Sequence, residues 1–318
     1  LYSLKVKLFL FNLVDSHKKP LHKCKKKLIP VFIILVSLIT VVIGFRNTHV
    51  LKNKNYSLHA PHNSGIDGTT VYVNIGEVVN DNKVIVSLNL GVTPFNFNAA
   101  NKNMKIYLEN AICINGGRPM VRVARTENYT CEFNAKNCKF LFGGAYTQQN
   151  ALSVLGANTC LIKCEASYNN NDGFNYHEQY NTSCNSIEID CIGRYNGLNN
   201  PDSNSSNGST IHDGSKIVRI NGIYYNNKGG NVADVGTGSV SINYGCTAFD
   251  SLSSVKDWHS IDFGTQSSGA TMYLYSCFAQ GNAHTTYNIQ SYEGTSIVNV
   301  YHSIFDNTGG SGTINIIQ

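Results

Sequence analysis

One position in this chain keeps asking for a small side chain. Cys138, Cys164, Cys191, Gly222, Cys246, Cys277 and Ser303 follow one another at intervals of 26, 27, 31, 24, 31 and 26 residues. Each sits in a similar local run: NAKNCKFLF, LIKCEASYN, IEIDCIGRYN, VRINGIYYN, INYGCTAFD, LYSCFAQGN and VYHSIFDN. A polar turn residue comes shortly after it: Asn170, Asn196, Asn226, Asp250, Asn282 and Asn307. Such a period fits the coils of a parallel β-solenoid, in which each side chain stacks on its equivalent one turn away. Stacked asparagines can bond the backbone of neighbouring coils and tolerate left-handed conformations. The pattern predicts an all-β, single-stranded, right-handed parallel β-helix from about residue 128 to the C-terminus, in coils of about 24 to 31 residues.

Composition agrees with a strand-built core. Charged residues are only 14% of the chain and apolar residues 42%, enough to fill an interior. Ten cysteines would suggest disulfides in an extracellular protein. The regular column argues instead for small buried thiols packed into a narrow corner. Cys131, Cys160 and Cys184 lie off the column and leave room for one bridge. With no C-x-x-C pair, a structural zinc site is not expected.

The formal net charge of +5 is concentrated at one end. Nine of the 25 basic residues, but one of the 20 acidic ones, fall within residues 1–46, which leaves 16 against 19 beyond. No basic face remains for a nucleic acid backbone. Leu28–Phe45 is uncharged over 18 residues, about the minimum for one membrane span. Lys23, Lys25, Lys26 and Lys27 precede it, which places the N-terminus in the cytoplasm and the remainder outside. The organisation expected is a basic cytoplasmic tail (1–27), one transmembrane helix (28–45), a linker (46–69), a cap with irregular first coils (70–127) and the β-helix (128–318). Gly197–Ser209 is expected to be a polar loop.

Aligning one strand per coil places Tyr176, Ile211, Ala233, Ile261, Tyr287 and Ile314 inward. Because strand side chains alternate between faces, His177, His212, Asp234, Asp262, Asn288 and Asn315 would then form an outward stripe. Asp213, Glu178 and Asp172 lie beside it. Two carboxyls one coil apart would suit a retaining glycosidase, and two coils apart an inverting one. Alternatively a histidine could take the proton α to a uronate carboxylate, with acidic groups holding Ca2+. On this reading Asp234, Asp262, His212 and His177 are candidate catalytic residues. Asp213, Asp172, Glu178, Trp258 and Asn288 are candidate substrate contacts. Trp258, with Tyr176, Tyr180, Tyr224 and Tyr225, could form a sugar-stacking platform. The competing reading is a solvated sheet face that is polar for no further reason.

The runs NNNDGFNYHEQ, EIDCIGRYNG, NSSNGSTIHDG, IVRINGIYYNNKGGNVADV and GCTAFDS resemble right-handed β-helix proteins of the pectin lyase-like superfamily, in particular those of bacterial surface and phage tail proteins. The resemblance covers about residues 105–318. It implies lyase, hydrolase or epimerase action on acidic polysaccharide, or glycan binding alone. Neither polygalacturonase motifs nor a pectate lyase signature is present, so the resemblance supports the fold and not a reaction. The expectation is a membrane-anchored extracellular module that binds polysaccharide and could cleave it; the alternative is a non-catalytic adhesion or structural module.

Overall fold

The computed structural model describes residues 70–74, 83–86, 93, 95–99, 102–114, 118–143, 150–200, 206–252, 261–280 and 287–317. Leu28–Phe45 therefore lies outside the described residues, as does Trp258. Among the described residues every named strand pairs in parallel, and the strands build three sheets in strict sequence order. The first sheet has ten strands, from Thr70–Asn74 to Thr313–Ile317; the second and third have nine each. One coil thus contributes one strand to each sheet in turn, the plan of a parallel β-helix. The strands before residue 128 already follow it, since Met104–Glu109, Ala111–Ile114 and Val121–Ala124 occupy the three sheets.

The corner between the first and second sheets explains the small-residue column. One residue per coil adopts a left-handed backbone there: Asn110, Asn137, Lys163, Asp190, Asn221, Gly245, Ser276 and His302, with φ between 45° and 60°. This bend brings the next residue against the coil below, where only a small side chain fits. Cys138, Cys164, Cys191, Cys246 and Cys277 are buried and carry free thiols, as the spacing predicts. Several thiols donate to a carbonyl one coil back, Cys138 to Leu108 at 3.4 Å and Cys277 to Asn243 at 3.3 Å. Cys131, Cys160 and Cys184 are unbridged too.

A buried amide ladder closes the corner between the second and third sheets. Asn169 Nδ2 donates to Asn196 Oδ1, Asn196 to Asn227 and Asn227 to Asn231, each at 2.9 Å. The same amides bond the carbonyls of Phe140, Ala166 and Gly193. The expected column is met at Asn196 and missed in other coils: Asn169 takes the rung rather than Asn170, Asp250 is not a rung and adopts a left-handed backbone with φ of 62°, and Asn227 takes the rung rather than Asn226. The latter instead takes up the left-handed bend, with φ of 55°. Gly193 lies where backbones touch, for a Cβ there would stand 2.6 Å from the Gly208 carbonyl oxygen. Ser209 belongs not to a loop but to the third-sheet strand Ser209–His212, and Ser206, Asn207 and Gly208 before it are buried.

The apolar core falls into two clusters. One runs from Phe95 to Ile217 and the other from Tyr224 to Val300. What separates them is a polar layer inside the solenoid.

Candidate functional site

The third sheet splits the expected stripe into three places. Its register sets Tyr176 beside Ile211, Ile211 beside Asp234, and Asp234 beside Thr265. Asp234 therefore shares the inward column of Tyr176, and His212 is followed outward by Val235 rather than by Asp234. The strand is set by Val232, which is the residue that packs in the core. Ala233, expected inward, takes the outer side. A one-residue change of register reverses every side chain in a strand. Asp262 is offset again and lies beside Asn288 and Asn231. Asn315 is on the first sheet, paired with Asn299. Only His177 and His212 keep the predicted arrangement.

These two rings stack with centroids 3.9 Å apart and 9° between planes. They belong to a connected polar network on the outer side of the third sheet. His177 Nδ1 lies 3.5 Å from Asp213 Oδ2, and His212 Nε2 lies 3.3 Å from Asn175 Nδ2. Asn175 donates to Asp172 at 2.5 Å, and the Asn207 N–H donates to the other oxygen of Asp172 at 2.7 Å. Gln266 reaches across to Asn207 Oδ1 at 3.3 Å. Burial pushes Asp172 up to about 7 against these donors. Burial together with the neighbouring ring pushes His212 down to about 3, and burial lowers His177 as well, against the pull of Asp213. At neutral pH the pair is thus two neutral imidazoles, able to donate and accept but not to act as cations. Glu178 is exposed at the edge of this group.

Asp234 instead lies at the centre of the interior polar layer. Its Oδ1 is 3.6 Å from Arg219 Nη1, an ion pair slightly too long for a hydrogen bond, and its Oδ2 accepts from Ser241. Arg219 also donates to Ser209 at 2.9 Å and to Asn243 at 3.2 Å. Glu188 accepts from Tyr176 at 2.8 Å, Ser209 at 2.8 Å and Tyr224 at 2.5 Å. All of these side chains are fully buried. Burial raises Asp234 to about 6, with Arg219 opposing the rise. For Arg219 burial lowers the pKa, but Asp234 and Glu188 outweigh it and hold the guanidinium charged. Tyr176 and Tyr224 are part of this layer and cannot be a surface platform.

Asp262 is a rung of the amide ladder. It accepts from Asn231 at 2.9 Å on one oxygen and from Asn288 at 2.8 Å on the other. Earlier rungs all donate forward, whereas Asn288 donates backward, so the ladder reverses at a residue with two acceptors and no obligatory donor. Burial pushes its carboxyl up to about 8 against these amide donors. Asn288 in turn accepts from the N–H groups of Asp306 and Asn307 at 3.0 Å. Asp234, Asp262 and Asn288 are thus positioned by structural demands.

The outer column of the third sheet holds residues that the strand alignment overlooked. Arg122, Ser153, Asn175, Thr210, Ala233, Gly264 and Gln290 stand in one register, one per coil. Asn175 Oδ1, Thr210 Oγ1 and Gln290 Oε1 are buried and make no hydrogen bond. Their signal was present in the sequence as the residue preceding each inward Tyr176 and Ile211. Among the described residues no group of three or more His, Cys, Asp or Glu side chains is placed to hold a metal ion, so the Ca2+ reading finds no ligand set there.

Fold and site together define a three-sheet parallel β-solenoid with a polar outer face on its third sheet. No family model, no curated protein and no solved structure matches the chain.

Proposed function

We propose that this chain is an extracellular, membrane-anchored β-helix of the right-handed, pectin lyase-like kind, which binds polysaccharide along the outer side of its third sheet and does not cleave it. The observation that carries the reading is the water-facing group on that side, His177 stacked on His212 with Asp213 Oδ2 3.5 Å from His177 Nδ1. Behind this group lie Asn175 Oδ1, Thr210 Oγ1 and Gln290 Oε1, buried and without a hydrogen bond. Asn175 and Thr210 are one coil apart, about 4.8 Å, and Gln290 follows three coils later. Between them the column carries only Ala233 and Gly264. Neutral His177 and His212 and the carboxylates of Asp213 and Glu178 edge the same face. The anchor rests on the uncharged Leu28–Phe45 segment and the lysines before it.

Binding is favoured over cleavage because two expected catalytic carboxyls are committed elsewhere. Asp234 is paired with Arg219 in the interior, and Asp262 is held by two amides. Cleavage would have to run through Asp172, whose carboxyl at about 7 suits a general acid. A panel of acidic and neutral polysaccharides, followed by affinity electrophoresis, tests the reading. His177→Ala and Asp213→Ala should each weaken binding about tenfold, roughly 1.4 kcal/mol, with circular dichroism unchanged. Assays for new reducing ends and for unsaturated uronates should stay flat. Unaltered affinity in both variants would place the site elsewhere; turnover that Asp172→Asn abolishes would establish an enzyme.

A further inference from the structure

The first sheet reverses the usual arrangement of polar and apolar side chains in its middle coils. Asn185–Ile189, Lys216–Ile220 and Val240–Tyr244 turn Ser186, Glu188, Arg219, Ser241 and Asn243 inward. The same strands turn Ile187, Ile189, Val218, Ile220, Ile242 and Tyr244 outward. Ile187 is 41% exposed, Ile242 39% and Tyr244 55%. The register stacks these groups in two straight files: Ile187, Val218, Ile242 and Tyr273 in one, Ile189, Ile220, Tyr244, Tyr275 and Tyr301 in the other. No charge interrupts either file. Lys216 stands exposed on this face in a third file, between Asn185 and Val240; the other outward charges lie nearer the N-terminal end, where Lys105 pairs with Glu132 at 3.2 Å. Shifting each strand by one residue would hide the isoleucines and bring Glu188 and Arg219 to water. An isolated molecule gains nothing from the opposite choice.

We propose that the outer face of the first sheet is the surface through which this chain associates with a second copy of itself. Seven five-residue strands, from Asn158–Ile162 to Thr313–Ile317, make up the field. At about 4.8 Å between strands and about 3.3 Å per residue it covers roughly 550 Å² of flat area. Two copies would bury about 1,100 Å², above the ~1,000 Å² that a specific interface needs. The side-chain ridges repeat at the coil spacing across all seven strands. A second β-solenoid carries the same spacing and stays in step along the whole face, whereas a helix, with a pitch of about 5.4 Å, drifts out of step. With Lys216 as the one outward charge in these seven strands, the face is not built for a partner chosen by electrostatic complementarity.

Sedimentation of the full chain in mild detergent tests this, comparing the unaltered protein with Ile242→Lys, Tyr244→Lys and the gentler Tyr244→Ser. The unaltered protein should be dimeric at micromolar concentration. Either lysine should raise the dissociation constant at least about a hundredfold and serine about tenfold, with circular dichroism unchanged. As a second measurement, Asn299→Cys, outward on the same face, should crosslink between copies on oxidation beyond the wild-type background, and Lys139→Cys on the second sheet should not. A monomer at every concentration, or association that all three variants leave unchanged, overturns the proposal.

Discussion

The first and third sheets wrap the same interior and use it in opposite ways. The third sheet packs Phe174, Tyr176, Ile211 and Phe263 inward and turns Asn175, His177, Thr210 and His212 out. In its middle coils the first sheet does the reverse, with Glu188 and Arg219 inside and Ile187 and Ile242 outside. A parallel solenoid tolerates this because backbone pairing runs along the axis and does not depend on which face is wet. The inverted strands are stable only because the charges they bury meet partners from the other sheets: Tyr176, Ser209 and Asp234 from the third, Tyr224 from the second. Polarity is thus set coil by coil.

The largest effect should come from breaking the interior charge pairing on the inverted side. Arg219→Met leaves Glu188 and Asp234 buried without a cation, and about 3–5 kcal/mol should be lost, read by urea denaturation. Adding Glu188→Gln and Asp234→Asn should recover part of that loss; no recovery would mean that Arg219 acts through packing. Next comes the corner behind the third sheet. Gly193→Ala forces a Cβ against the Gly208 carbonyl and should cost about 1–3 kcal/mol. Asp262→Asn replaces a double acceptor by a group with one, so an amide donor from Asn231 or Asn288 loses its partner, again at about 1–3 kcal/mol.

Smaller, but diagnostic of the third-sheet side, is the pH dependence. Asp234, Asp172 and Asp262 have folded-state values near 6, 7 and 8, above the usual 3.8. The stability they lend is complete below about 4 and is lost progressively as pH rises from there through 6, 7 and 8. His212, near 3, and the lowered His177 act in the other direction, and what they lend is lost as pH falls below the usual 6.5. Tm should therefore peak in mildly acidic solution and fall on both sides. His212→Asn should flatten the acid limb alone. A Tm that rises steadily from pH 6 to 9 would contradict the burial of the three carboxyls.

The thiol column was legible because a size limit repeats wherever the backbone makes the same bend, and seven coils report it independently. Register in the third sheet was not legible, because Val232-Ala233-Asp234-Val235 offers apolar residues on both sides of the aspartate. Period two alone cannot choose between Val232 and Ala233 as the inward residue. The choice depends on Arg219, which sits in the otherwise apolar run IVRI and shows its role only once the first sheet is brought beside the third. Asp262 was misplaced for a related reason: a corner amide and a strand-face carboxylate look alike when both follow an apolar residue. Asn175 and Thr210 escaped notice because attention fell on ionisable groups, while their unmet hydrogen bonds are a property of three-dimensional burial.

The reversal of the amide ladder at Asp262 also bears on how such a chain can lengthen. Up to Asn231 every rung hands its hydrogen bond forward, so a coil copied within Asn169–Asn227 would meet neighbours of the same sense and join without a mismatch. Copying the coil that contains Asp262 would set two buried carboxyls side by side, each deprived of one of the two amide donors that Asp262 now has. Growth by coil duplication is thus open on one side of this residue and closed across it, which makes Asp262 a fixed boundary in the history of the stack.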